Sequence, residues 1–306
     1  MNRIKILFLT NDFSNYISRN IHYFAQELSK VSDLIVYSNP GDINSILKTI
    51  RFKPDFILIN STMPDNCPTI TELSSINIPL GMIMTDLHFT VVEQKRFIIE
   101  NNIKFLFSNC RDAFRSFYPE FLDRAYWLPH FVNIDIFKDY KLQKDIDYLM
   151  MGNISSKQYG FRRHMVDTMN QEPGFVFHPH PGYKDADDEK DYVGERYARE
   201  INRSKIFLTE DSDYHYPVKK YYEVTACKTL LLAPESPELK DLGFISGVNF
   251  ISINQNDFLQ KARYYLLHEN EREEIAQRGY EMVHARHSAE KRISQFINTL
   301  QEILLL

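Results

Sequence analysis

The first part of the chain alternates short apolar runs with stretches whose apolar residues recur every three or four positions. The runs at 4–10, 34–37, 56–60, 80–85, 103–107 and 125–128 are apolar on both faces, the pattern of strands in a parallel sheet covered on both sides. Between them, Ile17, Ile21, Phe24 and Leu28, and then Ile43, Ile46, Leu47 and Ile50, keep a helical period. The pattern pauses from Leu128 to Lys144, a stretch holding Pro, Asn, Asp and several charges. It restarts with a strand over 146–151 and a Gly152-Asn153 turn, followed by helical periods around 162–169 and 193–202. Further strands are expected at 175–177, 206–209, 229–232 and 249–251, and the tail from Asp257 onward is almost wholly helical, broken near 268–270 and 287–288. No internal repeat or low-complexity tract interrupts this order. The expectation is an α/β chain of two doubly wound, Rossmann-like layers with ligands outside the carboxyl ends of the strands.

Composition narrows the function classes. The chain has 306 residues, 43% of them hydrophobic and 25% charged, which is ordinary for a globular protein of two domains. A net charge of −5 supplies no basic field, so bulk nucleic acid is not an expected partner. Three scattered cysteines (Cys67, Cys110, Cys227) form neither a disulfide framework nor a CxxC metal site, and point to a reducing, cytoplasmic setting. The apolar start is interrupted by Lys5 and ends at Thr10, too short for a signal core or a transmembrane segment.

Several signatures are missing. The loop after the first strand reads Thr10-Asn11-Asp12-Phe13 and lacks GxGxxG, and no GxxxxGK[ST] or GxSxG occurs. Candidate chemistry collects instead at strand ends: Asp86 and His88; Gly152 and Asn153 ahead of Arg162-Arg163; His178 and His180; and Glu210 through Pro217 ahead of Lys219-Lys220. A glycine turn leading to a helix offers amides to a phosphate, and arginine adds a bidentate fork. His178 and His180 are spaced like a metal pair but sit between prolines with no third ligand nearby, which reads as a rigid loop. Asp211-Ser212-Asp213 matches a DxD triplet, which is equally at home in a solvated loop.

Taken together, the segments resemble a family. Residues 217–232, with Lys220, Glu223, Ala226-Cys227 and Leu230-Leu231-Leu232, look like the "R-x-(F/Y)-E-x-x-A-C-G-x-x-L-L" segment of group-1 glycosyltransferases, in particular the CgeB-like branch found among spore-associated transferases. Further matching pieces are Trp127-Leu128-Pro129-His130, Met151-Gly152-Asn153, His180-Pro181-Gly182-Tyr183, Glu271-Arg272 through Gly279, and Arg286-His287-Ser288. The resemblance runs over roughly residues 125–290. It implies a GT-B fold: two Rossmann-like domains facing across a cleft, an acceptor-side domain over 1–140, a donor domain over 141–287, and a C-terminal helix over 288–306 packing back on the first domain. The activity it implies is transfer of a sugar from a nucleoside diphosphate sugar (UDP- or GDP-sugar), with retention, no cofactor and no metal.

Carried over residue by residue, Glu223 matches the glutamate that grips the donor ribose, and Lys220 the cation that faces the diphosphate. Gly152 and Asn153 match the phosphate-facing turn, Arg162 a second phosphate clamp, and Tyr192-Val193 the nucleobase loop. His180 and His215 join the donor side, and Asp86 and His88 fall where the first domain meets the transferred sugar. The chain departs from the pattern at His215, eight residues before Glu223, where relatives carry glutamate; at Lys228, where they carry glycine; and at Asn11-Asp12 in place of a glycine-rich loop. These departures keep open a catalytically inactive nucleotide-sugar-binding or scaffold protein on the same fold. A GT-B sugar-nucleotide epimerase is a further alternative. Glycan, lipid, protein and modified base all stand as acceptor partners.

Overall fold

The structure, a computed structural model, describes residues 3–155 and 157–305; Met1, Asn2, Ser156 and Leu306 lie outside the described residues. The chain divides into two compact units, one of Met1–Asn15, Arg19–Pro129 and Arg292–Leu306, the other of Tyr16–Ser18 and His130–Lys291.

The first unit runs β1 (Lys5–Leu9), α1 (Asn20–Val31), β2 (Asp33–Tyr37), β3 (Gly41–Asp42), α2 (Ile43–Thr49), β4 (Phe56–Asn60), β5 (Ile70–Thr71), β6 (Leu80–Met84), α3 (Val91–Glu100), β7 (Phe105–Ser108), α4 (Arg111–Phe117) and β8 (Ala125–Trp127). Six strands form one parallel sheet in the order β2-β1-β4-β6-β7-β8. β4 and β6 are buried along their whole length, which is why their apolar runs show no alternation. β3 and β5 make a separate two-stranded parallel ladder that the sequence pattern did not announce. Helices α3 and α4 were equally unannounced. Val92 and Ile99 of α3 are 64% and 65% exposed, so its apolar positions do not trace one buried stripe.

The second unit runs β9 (Ile146–Gly152), α5 (Gly160–Met169), β10 (Phe175–Pro179), α6 (Gly194–Arg203), β11 (Ser204–Leu208), α7 (Lys220–Ala226), β12 (Leu230–Ala233), α8 (Pro237–Asp241), β13 (Ile251–Ser252), α9 (Phe258–Leu267) and α10 (Glu269–Arg286). Its parallel sheet has the order β10-β9-β11-β12-β13. Tyr148, Met150, Met165, Ile206 and Leu232 are among the residues that fill its core. The strand expected over 249–251 shrinks to Ile251–Ser252 because the Asn249 side chain closes a turn. Its Oδ1 accepts the Ile245 amide at 2.8 Å, and its Nδ2 donates to the Gly243 carbonyl at 2.8 Å.

The helical tail breaks as the sequence suggests, at His268 and at His287-Ser288. Its last helix, α11 (Ala289–Leu305), belongs from Arg292 onward to the first unit. There Phe296 packs edge-on against Phe24 and Phe107, with centroids 5.4 and 4.9 Å away, and Gln295 Nε2 donates to the Trp127 carbonyl at 3.0 Å.

Gly279 on α10 has a specific job. A Cβ at this position would stand 2.6 Å from the Asn249 carbonyl oxygen and 3.3 Å from Thr225 Cγ2 on α7. The first of these is backbone and cannot swing away. Gly279→Ala is therefore expected to cost about 1–3 kcal/mol in urea unfolding, and a change near zero would show that α10 can lift without loss.

Candidate functional site

The strand order of the second unit reverses at β9, with β10 on one side and β11 on the other. Such a switch point opens a crevice at the carboxyl ends of the diverging strands. β9 ends there on Gly152, whose φ of +148° favours glycine. A Cβ at Gly152 would lie 3.1 Å from Arg162 Nη1 and 3.6 Å from Lys220 Nζ. Two cations, one from α5 and one from α7, thus converge on the same bare patch of backbone.

Arg162 is 4% exposed. Its Nη1 donates to the Asn153 carbonyl at 3.0 Å, its Nη2 to the Glu210 carbonyl at 3.3 Å, and its guanidinium lies 4.0 Å from the Tyr159 ring centroid. Its buried Nε has no hydrogen-bond partner among the described residues. Burial pulls its pKa down, with Tyr159 and Glu210 opposing. The neighbouring Arg163 turns away and donates to the Ile154 carbonyl at 2.9 and 2.7 Å. Of the arginine pair in the sequence, one is a site residue and the other a loop clasp.

The first turn of α7 supplies the rest. Lys220 is pushed down to about 7, first by burial and then by Arg162 and Lys219, against the opposing charge of Glu223. Glu223, one turn further on, is raised by burial and held back by Lys219, Lys220 and a hydrogen bond from the Tyr197 hydroxyl. Lys219 Nζ donates to the Ser18 hydroxyl, and Ser18 belongs to the same unit because the Ile17 amide bonds the Lys184 carbonyl at 3.0 Å. His180 follows β10: its amide donates to the Gly152 carbonyl at 3.2 Å and its Nδ1 accepts the Gly182 amide at 3.0 Å. Burial, then Lys220, Lys219 and Arg162, hold its pKa down to about 4, so the imidazole is neutral near pH 7.

The loop after β11 is the acidic edge of this region. Glu210 is 2% exposed, and its Oε2 accepts the backbone amide of Arg162. Burial pushes it up to about 7, Arg162 opposing, with Asp211 and Asp213 adding to the rise. Asp211 is buried and raised by that burial; it accepts from His215 Nδ1 at 2.9 Å while the His215 ring stays largely exposed. His215 itself has φ +54°.

The sequence candidates thus divide. Gly152, Asn153, Arg162, His180, Lys220 and Glu223 are brought together, and His215 joins through the loop that starts at Glu210. Val193 is buried and accepts the Tyr197 amide at 3.2 Å, which anchors α6. Tyr192 lies against the His178 ring at 4.2 Å and the Arg196 guanidinium at 4.7 Å. Asp86 and His88 belong to the first unit. Asp86 is exposed at φ +48° and accepts the Phe89 amide at 2.9 Å; His88 lies 4.2 Å from the Phe89 ring, with its pKa lowered by burial and Asp86 opposing. Tyr159 was not among the sequence candidates, and Glu210, Lys219 and Tyr197 lay inside matched or polar segments without a role of their own. Glu210 had one available signal, a carboxylate two residues past the apolar end of a strand, Ile206-Phe207-Leu208. Among the described residues no group of three or more His, Cys, Asp or Glu side chains gathers to hold a metal, and no helix is long and apolar enough to cross a membrane.

Each unit holds a parallel sheet, and over the whole chain the architecture matches solved glycosyltransferases of the GT-B fold. It superposes on a sucrose-phosphate synthase from Thermosynechococcus elongatus with TM-score 0.72 at 12% identity, covering 99% of this chain and 100% of that one. Anabaena HepE in complex with UDP-glucose gives 0.67 at 12% identity over 98% and 100% of the two chains. A glycosyltransferase from Rickettsia africae gives 0.65 at 12% identity over 99% of both. In sequence, residues 159–298 match the family model described as "Glycosyl transferase-like", a span that holds Arg162, Lys220 and Glu223. No curated protein sequence matches the chain.

If the bare backbone at Gly152 is what admits an anion between the two cations, filling it removes the site. Gly152→Ala is expected to weaken binding of inorganic pyrophosphate, a probe of the two cations, at least about tenfold, about 1.4 kcal/mol. Calorimetry checks this, and unchanged binding in a folded variant would sink the assignment.

Proposed function

We propose that the protein is a glycosyltransferase that takes a sugar from a UDP- or GDP-sugar and passes it, with retention and without a metal, to a glycan, lipid, protein or modified-base acceptor. The observation that carries this reading is the convergence of Arg162 and Lys220 on the Gly152 backbone, with Glu223 one turn beyond Lys220. In this reading the two cations hold the diphosphate and neutralise the charge that grows on it as the glycosidic bond breaks. Glu223, steadied by Tyr197, takes the ribose hydroxyls. Asn153 supports the phosphate turn. His180, neutral near pH 7, accepts or donates hydrogen bonds without adding charge. Tyr192 and Val193 line the nucleobase side, and His215 contacts the sugar.

The resemblance further assigns 141–287 to donor binding, 1–140 and the helix over 288–306 to the acceptor side, and Asp86 and His88 to the transferred sugar. The segment from Pro217 to Leu232 supports the CgeB-like branch, and the scattered cysteines support a cytoplasmic location. Metal independence rests on Arg162 and Lys220 meeting the charge that a divalent ion would otherwise meet.

The deciding experiment is incubation with a panel of UDP- and GDP-sugars, following donor hydrolysis and transfer to each acceptor class. Release of nucleoside diphosphate from at least one donor is expected, and none from any would overturn the reading. Within it, Glu223→Ala leaves two hydroxyls poorly paired and is expected to weaken nucleoside diphosphate binding about 5–150-fold. Lys220→Ala is expected to lower turnover more than donor affinity, since the charge it meets develops in the transition state. Exhaustive chelation is expected to leave turnover unchanged; a loss restored by Mg²⁺ or Mn²⁺ would replace the cation clamp with a metal.

A further inference from the structure

Glu210 carries more than its loop requires. Helix α5 starts without a cap of its own: Tyr159 at the N-cap position makes no side-chain cap bond. Its first turn is held instead by a carboxylate from 48 residues away, Glu210 Oε2 on the Arg162 amide, while the Glu210 carbonyl accepts Arg162 Nη2 at 3.3 Å. One residue therefore fixes both the backbone and the guanidinium of the same arginine. It does so from a position 2% exposed, at the carboxyl end of β11 beside the switch point. A buried carboxylate earns its ionised form only through a nearby cation, and the cation here is the one turned toward the bare Gly152 backbone. A polyanion arriving at that point competes with Glu210 for the charge of Arg162.

We propose that Glu210 is a positioning residue for the anion clamp: it anchors Arg162 and serves as its counter-ion while the site is empty, and it takes up a proton from solvent when a nucleoside diphosphate becomes that counter-ion. The inference rests on the proposed donor site. The groups facing Glu210 are Arg162 on α5, Tyr221 on α7, and Asp211 and Asp213 on its own loop, Asp211 being held in turn by His215. The two aspartates favour the neutral acid, Tyr221 is uncharged near pH 7 because burial raises its hydroxyl, and Arg162 favours the carboxylate. Drawing Arg162 into a diphosphate weakens the one influence that keeps Glu210 charged. Its position near 7 in the empty site makes the uptake readable around neutral pH. The complex holds more protons than the free protein, so affinity rises as pH falls through that range.

The test is calorimetry of UDP and GDP binding to the full chain near pH 7, in two buffers of different ionisation enthalpy, for wild type and Glu210→Gln. Glutamine keeps an acceptor oxygen for the Arg162 amide and removes the titratable charge. Lys220 contributes its own uptake in both proteins, so the difference isolates Glu210. The expected result is a smaller proton uptake in Glu210→Gln and a flatter dependence of affinity on pH, where each full proton corresponds to about tenfold in affinity per pH unit. Equal uptake in the two proteins would overturn the inference and leave the donor site standing. Absence of UDP and GDP binding by wild type would overturn the donor site and the inference together. Should Glu210→Gln fail to fold, infrared difference spectra of wild type decide. Gain of a protonated-carboxyl band on adding UDP supports the proposal, and no such gain refutes it.

Discussion

The second unit is organised around a repulsion. Arg162 and Lys220 are held close enough that both would crowd the absent Cβ of Gly152, and Arg162 lowers the proton affinity of Lys220. Like charges at short range in a poorly solvated place are unfavourable. Glu210 opposes the effect at Arg162 and Glu223 at Lys220. The partners given to Arg162 are largely neutral dipoles: the Asn153 and Glu210 carbonyls and the face of Tyr159. The fold tolerates an excess of positive charge at one spot because α5, α7 and the ends of β9 and β11 are each fixed by the sheet core behind them. Strain of this kind concentrates at working sites.

The acids nearby are arranged so as not to dissolve that excess. Glu223 is raised by burial and shared with Tyr197, and Asp211 is committed to His215. Glu210 spends its carboxylate on a backbone amide rather than on the guanidinium face. The result is a site whose net charge depends on protons as well as on side-chain identity, with Lys220, Glu210 and His180 all displaced from their ordinary ranges.

Much of this was legible in the residues. Uninterrupted apolar runs announced parallel strands because β4 and β6 are covered on both faces. The Gly152 turn, Arg162, Lys220 and Glu223 stood out because each falls just beyond a strand or on the first turns of a helix. What escaped has physical causes. β3 and β5 are two residues long, below any periodicity. α3 exposes apolar residues, which blurs its stripe. Arg162 and Arg163 look alike in sequence, and only the direction of the α5 surface separates the buried clamp from the exposed clasp. Glu210 acts on Arg162 across 48 residues, and such a pairing leaves no local trace.

The return of α11 to the first unit bears on the order of assembly. Phe296 fills space against Phe24 and Phe107, and Gln295 reaches a strand-end carbonyl 168 residues upstream. During synthesis the first sheet leaves the ribosome long before these side chains exist. A nascent first unit therefore holds an apolar face open while all of the second unit is made, and loops of that length close slowly. The vulnerable moment in the life of this chain is the interval between its first strands and its last helix, when Phe24 and Phe107 wait for a partner not yet translated.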